Sequence, residues 1–558
     1  MKIKYMHEIK LGVAVMAAAL VSIACSDKWD DHYNENNVSG ENLWAAVSSD
    51  ADLTNFSKVV KACGYDVLLN GSNMLTVFAP INENLSVTTA DSLIAEYNSE
   101  KSQGVKDEDN EVVKQFLYNH IALYNKSVSS ITSDSIMMLN GKYQFLTSST
   151  FGKSNLQSKN SLYKNGVLFT IDRSESYFPN VFEYIKKDAD LDSISNFIYG
   201  FNEYVFDEEN SVPGDIVDGK TQYLDSVVYL TNSMLSELGR IDREDSTYWL
   251  IAPTNRVWKQ LYDKYNLYYN YDDKVDKRDS LSNMYTCYTI IGGAFFNMNE
   301  QKAINDSALS TNYSYSADKS GEYNPYFKYY RPFDAGGIFT GTSDIECSNG
   351  KVMKTDDWKI DEYNTLVRQK QVDAEWAYYQ DTIQNAKSPL NTRTVATNNK
   401  FYNKVSNNQF VEVEPFPSGL PAVRYKIPYV LSNVGYDIFV VFAPATAYDA
   451  YATKEQMLPA KVRFYAQYNL QNGRTSSMQS LTTQGKTYIY ETQPDIVDTI
   501  QVASDYKFPT CSYGLNDEQV TITIRNVTST RETDLYTRSM RIDCIILKPH
   551  KEDQSLEQ

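Results

Sequence analysis

Two stretches of the chain repeat one another, and that repeat limits the folds open to it. Leu75-Thr76-Val77-Phe78-Ala79 is a continuous apolar run closed by Pro80 and, two residues later, Asn82. Tyr248-Trp249-Leu250-Ile251-Ala252 is closed in the same spacing by Pro253 and Asn255. A short apolar run reads as a buried strand, Pro suits the first turn of a helix and Asn suits a helix cap, so each joint is expected to pass from strand to helix. A helix is expected before each strand. In the first copy Leu53, Phe56, Val59, Val60 and Cys63 fall at helical spacing ahead of Gly64, and in the second Met234, Leu235 and Leu238 precede Gly239. A second landmark recurs downstream as Asn165-Gly166-Val167-Leu168 and Asn349-Gly350-Lys351-Val352, each an Asn-Gly turn feeding a strand. The reading is two copies of one α+β unit, with Pro80, Asn82, Asn165, Gly166, Pro253, Asn255, Asn349 and Gly350 as structural landmarks.

At these residues the chain resembles the fasciclin (FAS1) family, whose motifs are a strand ending in Thr-Val-Phe-Ala-Pro-x-Asn and a later Asn-Gly strand running to Ile-Asp. The first copy carries both, as Thr76 to Asn82 and as Asn165 to Asp172. The second is divergent, with Trp-Leu-Ile-Ala-Pro in the first motif and no Ile-Asp in the second. Family members that bind cell-surface receptors carry a Tyr-His pair between the motifs. The matching place reads Tyr118-Asn119-His120, so that role does not carry over and His120 is read as a structural histidine. The resemblance implies no catalytic residues.

The N-terminus gives an address. Lys residues precede an apolar stretch from Leu11 to Ala24 that is too short to span a bilayer, which marks residues 1–24 as a signal peptide. Leu20-Val21-Ser22-Ile23-Ala24-Cys25 resembles a bacterial lipobox, which implies lipidation of Cys25. Asp27, Asp30 and Asp31 follow, similar to the surface-export signal of Bacteroidetes-type lipoproteins; residues 25–40 are read as an acidic tether. Six Asp-Ser pairs followed by Leu, Ile, Val or Ala, among them Asp91-Ser92-Leu93, look like that phylum's O-glycosylation motif. The expected location is the outer membrane, lipid-anchored and facing the cell exterior.

From residue 386 onward short β-rich runs alternate with turn residues: 410–413, 423–428, 438–442, 462–468, 487–490, 520–524 and 540–547. They predict an all-β domain, a β-sandwich of jelly-roll type. The fold class is therefore multidomain, α+β and all-β. The expected order is a FAS1 domain at 41–186, a divergent FAS1 domain at 187–385 and the jelly-roll-like sandwich at 386–558.

Composition then narrows the function. A formal net charge of −18 repels phosphate backbones and argues against a nucleic-acid partner. Four His in the chain leave little for His-based zinc sites or catalysis, and five Cys beyond Cys25 show no metal spacing. They are read as small buried hydrophobes, with a Cys511–Cys544 bridge as the alternative. No phosphate loop, nucleophile elbow or zinc-protease motif occurs, so no enzyme, cofactor or metal is expected. The excess is tyrosine, 44 residues, dense at Tyr313, Tyr315, Tyr323, Tyr326, Tyr329 and Tyr330 and again at Trp376, Tyr378 and Tyr379. Aromatic faces suit sugar C–H groups, and Tyr488 and Tyr490, alternate residues of an expected strand, are candidates for a glycan platform. FAS1 lipoproteins encoded beside glycan-uptake systems often end in a β-domain of this kind. The resemblance implies glycan binding or nutrient capture beside a TonB-dependent SusC/SusD-like transporter, with adhesion or assembly through the FAS1 domains as the alternative.

Overall fold

The computed structural model describes residues 39–126, 133–217, 220–299, 308–310, 327–449, 451–483, 488–515 and 519–551. The chain divides into two compact units, one ending at Pro179 and the other beginning at Asn180.

In the first unit a short helix, Leu43–Ser49, is capped by Asn42, whose side chain accepts the Ala45 N–H. Asp50 opens a tight turn over Ala51–Leu53, and the helix Thr54–Ala62 follows with Phe56, Val59 and Val60 fully buried, as their spacing predicts. Gly64, at φ +78°, ends it in the left-handed conformation. After the helix Asp66–Asn70 comes the strand Leu75–Pro80, buried at all six positions. It lies second in a seven-stranded sheet and runs parallel to Gly166–Ile171, Leu75 facing Gly166 and Pro80 facing Ile171.

The second unit opens with the same sequence of elements. Helix Val181–Lys187 is capped by Asn180, a tight turn covers Ala189–Leu191, and helix Asp192–Tyr199 follows. A long antiparallel hairpin, Asn202–Val217 with Lys220–Asn232, is then inserted before the helix Ser233–Leu238. The strand Tyr248–Pro253 runs parallel to Gly350–Thr355, Tyr248 facing Gly350 and Pro253 facing Thr355, within a four-stranded sheet. The register is that of the first unit.

The structure departs from the sequence reading at three places. The helix Ser233–Leu238 stands in the place of Asp66–Asn70, not of the helix that ends at Cys63; the counterpart of the latter is Asp192–Tyr199. The hairpin displaces the sequence alignment by its own length. Second, a boundary at 186/187 would cut the helix Val181–Lys187, whose Asn180 cap already belongs to the second unit. Third, Pro80 ends its strand, and the next helix, Val87–Ser102, is capped by Ser86 rather than by Asn82. Asn82 does cap a helix, but an earlier one: its Oδ1 accepts the Asn55 N–H at 3.0 Å and its Nδ2 donates to the Ala51 carbonyl at 2.8 Å. Asn255 does the same with Ser193 and Ala189, both at 2.8 Å, although its own helix starts at once.

The C-terminal β-sheets hold six strands each. One runs Asn391–Thr394, Gln409–Val413, Met540–Pro549, Gly435–Phe442, Asp498–Lys507, with Lys370–Asp373 also paired to Met540–Pro549. The other runs Gln380–Gln384, Ala422–Ile427, Val520–Asn526, Lys461–Gln467, Gln479–Leu481, with Tyr490–Glu491 beside Lys461–Gln467. Alternate residues such as Val462, Phe464 and Ala466 of one sheet and Ile438, Val440 and Phe442 of the other meet in one apolar cluster. Because Lys370–Asp373 and Gln380–Gln384 are sheet members, this part of the fold begins well before residue 386.

The same cluster takes in Tyr269, Tyr271 and Tyr285, which lie far ahead of the first sheet strand, Lys370–Asp373, in the sequence. Tyr269 and Tyr285 stack at 5.7 Å and the Tyr513 ring stands edge-on to both. Tyr271 donates to the Tyr513 carbonyl at 2.8 Å, Cys511 donates its N–H to Asn270, and Asp273 donates to Gln471. Gly514, at φ +74°, leaves room for the Tyr285 ring that a Cβ would fill. The second α+β region and the sheets therefore share a core.

Candidate functional site

The landmark residues of the repeat are structural. Asn165 accepts the Leu43 N–H at 2.8 Å and donates to the carbonyls of Leu69 and Gly71. Asn349 accepts the Val181 N–H at 2.9 Å and donates to those of Ile241 and Arg243. Gly166 and Gly350 lie so close to the facing strand that a Cβ would overlap the carbonyl oxygens of Leu75 and Tyr248. His120 is fully buried: its Nδ1 lies 2.7 Å from the Phe116 carbonyl and its Nε2 accepts the Glu175 N–H at 3.0 Å. That pair of contacts sets the neutral Nδ1–H form, and burial pushes the imidazole down to about 4.

Four cysteines, Cys63, Cys287, Cys511 and Cys544, are buried, Cys347 is partly so, and all five are free thiols. Burial pushes the Cys63, Cys287 and Cys511 thiols up to about 12, away from thiolate chemistry.

Beside the strand Lys370–Asp373, three carboxyls come near one another. Asp543 is pushed up to about 8 by burial, with like charge from Asp373 and Glu375 adding to it, and Glu375 is pushed up to about 6 by burial. The oxygens of Asp373 are taken by Gln371, Ser406 and Asn407, and Asp543 accepts the Ser406 N–H. Among the described residues no group of three or more His, Cys, Asp or Glu side chains is placed to hold a metal ion.

The expected strand at 487–490 is reduced to Tyr490–Glu491; residues 484–487 lie outside the described residues. The rings of Tyr488 and Tyr490 meet edge to face, 4.9 Å apart at 82°. Tyr490 also stands against Phe464 of the core and is half-buried, whereas Tyr488 is 41% exposed. Cys25, Asp27, Asp30, Asp31, Tyr313, Tyr315, Tyr323 and Tyr326 lie outside the described residues.

Tyr329 and Tyr330 instead help to line an open cleft of about 710 Å³ in the second unit. The strand Lys328–Tyr330 forms one wall, and alternation sends neighbouring side chains to opposite sides. Tyr329 is buried, its hydroxyl donating to the Gly293 carbonyl at 3.0 Å, whereas Tyr330 is 72% exposed with the Lys328 Nζ 5.4 Å from its ring centre. A tight turn at Gly336-Gly337 forms a second side; a Cβ at Gly337 would overlap the Pro332 carbonyl. Lys359 comes from a third, its Nζ donating to the Thr340 carbonyl at 2.6 Å and lying 3.4 Å from Asp357. The Arg368 guanidinium sits over the Phe327 ring at 5.6 Å. The dense tyrosines hinted at this place in the sequence; its cations, scattered from 328 to 368, carried no pattern that could be read there.

Residues 51–174 match the fasciclin domain family model. No curated protein matches the chain. Among solved structures, the FAS1 domain pair of the insect cell adhesion molecule fasciclin I is 13% identical with a TM-score of 0.20, covering 56% of this chain and 99% of that one. The CBM22-1 and GH10 modules of Clostridium thermocellum endo-1,4-β-D-xylanase 10B, solved with xylohexaose, are 10% identical with a TM-score of 0.21, covering 33% of this chain and 28% of theirs. Carbohydrate-binding modules of the β-sandwich superfamily are 9% identical with a TM-score of 0.15, covering 36% and 63%. The chain thus spans less than two thirds of the latter two. Likenesses this slight say nothing of a ligand.

Proposed function

We propose, from the premise of a fasciclin domain at residues 51–174, that this is a non-enzymatic glycan-binding lipoprotein of the cell surface, serving nutrient capture beside a SusC/SusD-like transporter. The observation that carries the glycan reading is the cleft between Tyr330 and Arg368. It has the size of a small-ligand site, an exposed aromatic face and polar heads at its rim, the combination that holds a sugar by stacking and hydrogen bonds. The second α+β region is read as a divergent FAS1 domain because its Asn-Gly strand, Ala-Pro joint and cross-capping Asn repeat those of the first, and the paired C-terminal sheets are read as the jelly-roll-like sandwich. The surface location rests on the leader, Cys25 and the acidic tether. Isothermal titration of the mature chain against a polysaccharide panel tests the function: binding that falls at least tenfold with Tyr330→Ala, at an unchanged melting temperature, supports it, and no binding at millimolar sugar refutes it.

A specific feature favours assembly as the second reading. On the hairpin, Tyr204, Phe206, Val228 and Leu230 are cross-strand partners on one face, and all four are exposed. A two-stranded ribbon is marginal alone in water, and apolar side chains at its surface suit a protein partner. Under this reading, removing residues 203–231 abolishes co-purification with the transporter while leaving glycan affinity intact.

A further inference from the structure

The cleft is electrostatically unlike the chain that carries it. With 71 acidic against 53 basic residues, a random lining would hold more carboxylates than cations. Among the described residues its lining holds Lys328, Lys359 and Arg368 and no Asp or Glu. Lys359 is in part committed to Asp357 and the Thr340 carbonyl. Lys328 and Arg368 differ: among the described residues neither is within ion-pair distance of a carboxylate, and each rests on an aromatic face, Tyr330 and Phe327. Arg368 therefore carries guanidinium N–H donors that no carboxylate of the described residues takes, and a guanidinium can meet a ligand carboxylate or sulfate in two parallel hydrogen bonds.

We propose that this cleft selects saccharides bearing carboxylate or sulfate groups, taken by the two cations of its lining that no carboxylate of the described residues pairs, Arg368 and Lys328, with a pyranose ring against the outer part of Tyr330. The proposal rests on the glycan reading above and names its ligand class. A neutral sugar entering the cleft strips water from two cations and returns no counter-charge, so it is disfavoured, whereas an anionic one replaces the lost hydration with charge-assisted hydrogen bonds. The negative field of the rest of the chain works against such a ligand, so the affinity comes from the local arrangement rather than from long-range attraction.

Calorimetry on the mature chain tests it with three probes of matched length: oligogalacturonates, chondroitin sulfate oligosaccharides and neutral maltodextrins. At least one charged class is expected to bind tenfold or more tightly than the neutral one, and to weaken as NaCl rises from about 50 to about 500 mM. Comparison of the two charged arms tells a uronate ligand from a sulfated one. The double variant Arg368→Gln with Lys328→Gln is expected to remove that tenfold preference without moving the melting temperature. Neutral sugars binding as tightly as charged ones would overturn the selectivity and leave glycan binding standing. A preference that survives the double variant would overturn the assignment to this cleft. Absence of binding by every probe at millimolar concentration would overturn the proposal and the glycan reading together.

Discussion

Asn165 and Asn349 are the same device used twice: each side chain accepts one helix N–H, from Leu43 or from Val181, and spans two carbonyls, those of Leu69 and Gly71 at the end of the helix Asp66–Asn70 or those of Ile241 and Arg243 in the loop after Ser233–Leu238. Both are buried, so no water replaces the lost partners when either is removed. Asn165→Ala and Asn349→Ala are each expected to cost about 3 kcal/mol, given three hydrogen bonds at about 1 kcal/mol apiece. Urea melts of the two variants, with an m-value equal to wild type, check this; a loss below about 1 kcal/mol would contradict it.

Gly350→Ala is a harsher test of the same joint. The new methyl group would meet the Tyr248 carbonyl oxygen of the paired strand, and neither strand can withdraw without breaking the parallel ladder from Tyr248 to Pro253. A loss of about 4 kcal/mol or more is expected. Soluble protein with a wild-type melting temperature would show that the strands are less closely held than this.

Acid is expected to weaken the first unit through His120. The unfolded chain takes up the proton near pH 6.5, while the folded imidazole resists it down to about 4. Its share of stability is whole above pH 6.5 and is lost as pH falls toward 4, about 3 kcal/mol across that window. Imidazole resonances still of the neutral Nδ1–H form at about pH 5.5 would agree; a midpoint near 6.5 would not.

Asp543 works in the opposite direction. Held up to about 8, it keeps a proton that the unfolded chain releases near pH 4, so stability is present in acid and is lost as pH rises toward 8. Asp543→Asn retains an oxygen for the Ser406 N–H and removes the charge. It is expected to stabilise the second unit by about 5 kcal/mol at pH 8 and by little at pH 4. Calorimetric scans at the two pH values compare the gains; equal gains would place the cause elsewhere.

A fragment covering 386–558 is expected to fail to fold. It lacks Lys370–Asp373 and Gln380–Gln384, which are sheet strands, and Tyr269, Tyr271 and Tyr285, which fill the same core. A fragment from 180 to 551 keeps all of them. Far-UV dichroism and melting of both fragments decide the matter, and a cooperative transition in the shorter one would refute it.

The local joints were legible in the sequence because their causes are local. Apolar runs of five or six residues at Leu75–Pro80 and Tyr248–Pro253 have to be buried strands, and an Asn-Gly before each partner strand marks where a side chain must be absent. A further local repeat was also within reach: Asp50-Ala51-Asp52-Leu53 recurs as Asp188-Ala189-Asp190-Leu191, and it aligns the two copies on the side of the hairpin where the helix pairing went astray. Relations between distant residues were fixed by packing, which leaves no local trace. Asn82 looked like the cap of the helix after it and instead caps the one before it, because the free N–H groups it meets are brought there by the strand, not by the chain. Tyr488 and Tyr490 alternated in sequence, yet Phe464 draws one ring toward the core and turns the pair edge to face. The cleft of Tyr330 and Arg368 gathers cations from separate segments, and no pattern along a chain records a proximity that packing alone creates.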